Sequence, residues 1–168
     1  MSDPAPAASK APPTGPKTAA DLPPEAIAFA ARMYNAARCG DIEIFQQALL
    51  AGLPASMTNE KGDSLLMLAA YYGHPELVKL LISHGADPNS LNDRCQSPIA
   101  GAVFKKEDAV VDVLLEGGAD PDYGAPSAMQ CIGMFQQDEK WKAKFEAAKG
   151  RGKAIAAEGE KAGQRVES

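Results

Sequence analysis

Along the middle of the chain, apolar residues come in two short helical blocks between polar turns, and the arrangement recurs. From Ser64, the run Leu65-Leu66-Met67-Leu68-Ala69-Ala70 makes one apolar helix, and Gly73-His74 breaks it. Leu77, Val78, Leu80, Leu81 and Ile82 then resume at helical spacing before Gly85-Ala86-Asp87-Pro88-Asn89 turns the chain. The layout returns from Ser97 to Asp122. Ser64 pairs with Ser97, Leu66 with Ile99, Ala69 with Ala102, Val78 with Val111, Leu81 with Leu114 and Gly85 with Gly118, each 33 residues apart. One step back puts Gly40 under Gly73 and Gly52 under Gly85, so residues 35–52 are a weaker first copy. One step forward puts Ile132 under Ile99, with 138–148 as a degenerate second helix. Two short helices cannot bury both apolar faces alone. The pattern therefore predicts a stack of four helix pairs, the outer two atypical because they cap it.

The expected helices are 25–38 with 42–51, 64–72 with 75–84, 97–105 with 108–117, and 127–136 with 138–149. Hairpin turns join them at 53–63, 86–96 and 119–127. Pro23-Pro24 ahead of Glu25 suits a helix start. Leu66, Ala69, Ala70, Val78, Leu81, Ile82, Ile99, Ala102, Val111, Leu114 and Leu115 are expected inside the stack. Trp141 and Phe145, four residues apart, share a helix face and should seal its last apolar side.

Residues 59–91 resemble an ankyrin repeat over their whole length: Gly62, Ser64-Leu65-Leu66-Met67 in place of Thr-Pro-Leu-His, Ala69-Ala70, Gly73-His74, Leu77-Val78, Leu80-Leu81, and Gly85-Ala86-Asp87 with Asn89. The resemblance extends over 26–149, as repeats 26–58, 59–91, 92–124 and 125–149. It implies an all-α solenoid, an ankyrin-repeat array with β-hairpin-like turns, whose inner helices form a concave face edged by the hairpins. Two departures stand out. Met67 and Ala100 replace the usual His, so the family's Thr-His hydrogen bond is absent. Cys95 and Lys106 stand where the pattern has Gly, at turns that strain any other residue if they need positive φ.

Composition trims the folding unit at both ends. Residues 1–24 hold seven of the 13 prolines and little that is large and apolar, and are expected to be disordered or polyproline-like. Residues 150–168, rich in Gly, Lys and Glu, read as a flexible charged tail. Of the net charge of −5, the first 24 residues carry 0 and the segment from Lys149 carries +2, leaving −7 on the repeats between them. That argues against nucleic-acid binding. No apolar run approaches the ~20 residues of a membrane span, and the N-terminus has no signal-peptide pattern. The expected location is the cytoplasm, with the nucleus also open in a eukaryote.

Candidate chemistry is sparse. Cys39, Cys95 and Cys131 are odd in number and lack metal or redox spacing. His74 and His84 have no nucleophile that repeat geometry would bring near, and Asp87, Asp120 and Asp122 belong to the recurring turn. No cofactor and no enzymatic activity are expected.

The surface carries the functional reading. Tyr71 and Tyr72 end the inner helix of the second repeat, level with Arg38 and Cys39 before them and with Phe104 and Lys105 after them; the same step reaches Gln137 and Asp138. Aromatics there offer rigid contact area at small entropic cost, with Tyr72 open between exposure and tucking against the next repeat. Glu60, Lys61 and Asp63 in one hairpin, and Asp93, Arg94 and Gln96 in the next, form a mixed polar rim. The leading expectation is a protein partner held by the concave face and hairpins of a chain that is monomeric when free. A small enzyme or ligand-binding regulator, and a self-associating scaffold, are the alternatives. In the N-terminal tail, Lys10 to Pro16 also fits a basic residue followed by P-x-x-P, a weaker signal.

Overall fold

The structure is a computed structural model that describes residues 23–158. Four helix pairs follow one another: α1 (Pro24–Cys39) with α2 (Ile42–Leu50), α3 (Leu65–Tyr71) with α4 (Pro75–Ser83), α5 (Pro98–Phe104) with α6 (Asp108–Glu116), and α7 (Ala128–Met134) with α8 (Asp138–Glu146). The inner helices α1, α3, α5 and α7 pack in series, and the outer helices α2, α4 and α6 pack in series behind them. Among the described residues there is no strand, only isolated antiparallel bridges at Thr58–Ser64 and Gly124–Ser127 at the bases of two fingers. No described helix is long and apolar enough to cross a membrane.

Helices this short are marginal in isolation, so caps and packing hold them. Ser64 Oγ accepts from Met67 N–H at 3.0 Å, Ser97 Oγ from Ala100 N–H at 3.3 Å and Ser127 Oγ from Gln130 N–H at 3.3 Å. At Ser127, Gln130 Oε1 returns the bond to the Ser127 N–H, closing a capping box. These serines replace the missing Thr-His pair with a plain N-cap. Pro75 and Pro98 open their helices where no N–H is needed.

The apolar interior runs unbroken from Met33 and Phe45 to Trp141 and Phe145. Leu66, Ala69, Ala70, Val78, Leu81, Ile99, Ala102, Val111 and Leu114 are buried as the periodicity requires. Ile82 and Leu115 are half-buried instead. They lie at the C-terminal ends of outer helices, and Ile82 reaches across to the next repeat, where a side chain on Gly117 would meet its Cδ1 at 2.7 Å. Trp141 and Phe145 stack with ring centroids 6.1 Å apart and close the last repeat. Lys140 and Lys144 lie over the Trp141 ring and pair with Asp108 and Asp112 of α6.

The fourth repeat breaks the 33-residue step. Ser127 caps α7 thirty residues after Ser97 caps α5, because the loop from Glu116 to Ser127 is three residues shorter than that from Ser83 to Ser97. Ile132 is therefore level with Ala102, not Ile99, and the residues level with Phe104 and Lys105 are Met134 and Phe135, not Gln137 and Asp138. Backbone geometry agrees: Gly73, Lys106 and Gln136 occupy one position in successive repeats, with φ of 79°, 58° and 57°.

Residues 150–158, which composition placed in the tail, are tied to the third finger, and 153–158 are helical. Gly150 is buried where a Cβ would come within 2.2 Å of the Gly118 carbonyl oxygen. Arg151 Nε donates to Asp122 Oδ2 at 2.7 Å, and Ala154 N–H to Asp120 Oδ2 at 3.1 Å. The Tyr123 hydroxyl bonds Glu158. The P-x-x-P segment from Lys10 to Pro16 lies outside the described residues.

Candidate functional site

The concave side of the array holds a groove of about 620 Å³ between the inner helices and the fingers. Its floor is made by the helix faces not used in the stack, among them Met67, Leu68, Ala100, Gly101 and Cys131. One wall is aromatic, because each inner helix ends with its last two side chains turned toward the groove. Tyr71 and Tyr72 meet edge to face at 5.4 Å, Tyr71 stacks on Phe104 at 6.4 Å with the planes 13° apart, and Phe104 meets Phe135 edge to face at 5.4 Å. Tyr72 is 48% exposed, Phe104 52% and Phe135 37%, so these rings are not core residues. Tyr71 is half-buried beneath them, with Lys105 Nζ 5.1 Å from its ring centroid. This settles Tyr72 as solvent-facing.

The other wall is the fingers, and buried amides shape them. Asn59 Oδ1 accepts from the Lys61 and Asp63 N–H groups at 2.9 and 3.0 Å. Asn92 Oδ1 does the same for Arg94 and Gln96, at 3.0 Å each. Asn92 Nδ2 donates to Asp63 Oδ1 at 2.8 Å and Gln96 Oε1 at 3.1 Å, so neighbouring fingers share one polar network. Backbone bonds extend the coupling: Asp93 N–H donates to the Lys61 carbonyl at 3.0 Å, and Ala125 N–H to the Cys95 carbonyl at 2.8 Å.

Of the residues singled out in the sequence, Arg38, Lys61, Asp63, Tyr71, Tyr72, Arg94, Gln96 and Phe104 line this one groove. Glu60 and Asp93 are exposed on the fingers outside the lining, and Asp93 sits against the Gly62 turn. Lys105 borders the groove from above Tyr71. Met134, Phe135 and Pro126 complete the lining and were missed. The shortened loop hid the first two, although the Ser127-x-x-Gln130 capping pattern marks the true start of α7.

His74 is structural: its Nε2 donates to the Arg38 carbonyl at 2.7 Å and its ring fills the space over Gly40. Cys39 and Cys95 are free and exposed, and burial pushes the Cys131 thiol pKa upward.

Comparison with known proteins agrees with this geometry. The profile for three copies of ankyrin repeats matches residues 33–124, more than half of the 168-residue chain. An ankyrin repeat protein of Pseudomonas aeruginosa is 43% identical over 60 residues, covering 36% of this chain and 35% of that protein. An ankyrin repeat-containing protein of Treponema pallidum is 32% identical over 87 residues, 51% of this chain and 29% of that one. The NAD-capped RNA hydrolase of Macaca fascicularis is 32% identical over 82 residues, 48% of this chain and 18% of the hydrolase. The chain thus spans about a third or less of the length of these relatives. With its four stacked helix pairs, its capped inner helices and this match, the chain belongs to the ankyrin-repeat family.

Proposed function

We propose that this chain is a non-enzymatic binding module that holds a protein partner in its concave groove. Ankyrin repeats generally mediate protein–protein interaction, and the observation that carries the reading here is the ladder Tyr72, Tyr71, Phe104, Phe135. It is contiguous across three repeats and exposed, although none of its exposed rings is needed to fill the stack. Rigid aromatics at the centre of a concave face are where binding energy concentrates. The finger charges Glu60, Lys61, Asp93 and Arg94 form a rim that tunes association rate and salt dependence.

The test is affinity capture from the native extract with wild-type protein and with Phe104→Ala and Tyr71→Ala variants, followed by titration of the captured partner. Each truncation is expected to weaken binding by about 2 kcal/mol while thermal unfolding stays cooperative. Binding that survives both truncations in folded protein would move the site off the concave face.

A further inference from the structure

The groove floor has a dent at one position. Residues four places after the capping serines face the groove in successive repeats: Leu68, Gly101 and Cys131. The middle one has no side chain, and neither of the usual reasons for a glycine applies. Its φ is not positive. A Cβ there would meet only Tyr71 Cδ2, at 3.6 Å, an ordinary contact that leaves room for alanine. The contrast with Gly117 and Gly150 is sharp, since side chains there would run into Ile82 and the Gly118 backbone at 2.7 and 2.2 Å. Gly101 also lies inside the seven-residue α5, where glycine is the least favourable residue after proline. A destabilising residue that packing does not require leaves a recess between Leu68 and Cys131, against the Tyr71 ring.

The charge around that recess is one-sided. The groove is lined by Arg38, Lys61 and Arg94, in a chain whose net charge is −5. Among the described residues none of the three is in an ion pair; the recorded pairs all involve other groups. The single acidic side chain of the lining, Asp63, already accepts from Asn92 and Asn59. Three cations with no carboxylate partner, above an apolar floor, present complementarity to an acidic chain.

Building on the groove as the protein-binding site, we propose that the partner segment is acidic and carries one large apolar side chain that occupies the recess at Gly101, with its carboxylates drawn to Arg38, Lys61 and Arg94. A phage-displayed library of short random peptides, selected on the full chain, supplies the probe. The selected pool is expected to be enriched in Asp and Glu around a single Phe, Leu, Ile or Trp, and the affinity of a synthesised member is expected to fall as salt is raised. Gly101→Leu, which copies Leu68 of the preceding repeat, is expected to weaken that peptide at least tenfold without lowering the unfolding temperature. Gly101→Ala is expected to raise the unfolding temperature by about 3 °C and to weaken binding less, so it carries the test if the leucine variant fails to fold. Arg94→Glu is expected to weaken binding at least tenfold at low salt. Peptides that need Phe104 but show no acidic bias, or that bind Gly101→Leu undiminished, would overturn this proposal and leave the groove as the binding site. Peptides indifferent to Phe104→Ala would overturn both.

Discussion

Lys106 and Cys95 hold a left-handed backbone, with φ of 58° and 59°, at positions where the preceding repeat has Gly73 and Gly62. A Cβ there costs about 1–2 kcal/mol, partly offset by the greater freedom a glycine would regain on unfolding. Lys106→Gly should therefore stabilise the fold by about 0.5–1 kcal/mol, read as a higher denaturation midpoint at unchanged slope. A lower midpoint would mean that Lys106 makes contacts worth more than its strain. Both sites were legible in the sequence, because an intact repeat stood 33 residues upstream to supply the missing glycine. Gln136, with φ of 57°, was not, since its counterpart lies 30 residues back and no glycine marks the place. Asn92 was also overlooked. Its amide joins two fingers, but nothing local distinguishes it from any loop asparagine.

Each element survives by leaning on the next, so damage at a shared face should spread. Leu81 in α4 and Leu114 in α6 are completely buried, and replacing either by Ala should cost about 2–5 kcal/mol. An unchanged denaturation midpoint for both variants would contradict the packing. The helices and their inward faces could be read from periodicity because the 33-residue pattern fixes spacing and face together. Residues 150–158 could not, since their anchors are single polar contacts to the third finger rather than an apolar stripe. One of those contacts reports on pH. Burial, and then the hydrogen bond to Glu158, push the Tyr123 pKa up from 10.0 to about 12. The folded chain thus keeps this proton after the unfolded chain has lost it, so the stability it contributes is whole below pH 10 and is lost as pH rises toward 12. An ultraviolet titration should find a late-ionising tyrosine that disappears in Tyr123→Phe.

On the scale of the whole molecule, the array presents a negatively charged body with a cationic, aromatic groove along its inner side. The existence of the groove followed from the resemblance, and most of its lining from the repeat register. Its continuation onto Phe135 and Met134 did not, because a three-residue deletion in a loop leaves no trace in the hydrophobic pattern of the helices around it. The groove's two ends also differ in kind. Arg38, Lys61 and Arg94 come from the first three repeats, whereas the fourth contributes Pro126, Cys131, Met134 and Phe135 and no cation to the lining. A trough with a charged end and a greasy end is a vector. A ligand chain lying along it has a preferred heading, with its carboxylates toward α1 and its apolar residues toward α7. Two peptides of identical composition, one written forward and one in reverse order, should then differ in affinity, and equal binding of the pair would mean that the groove senses composition without reading direction.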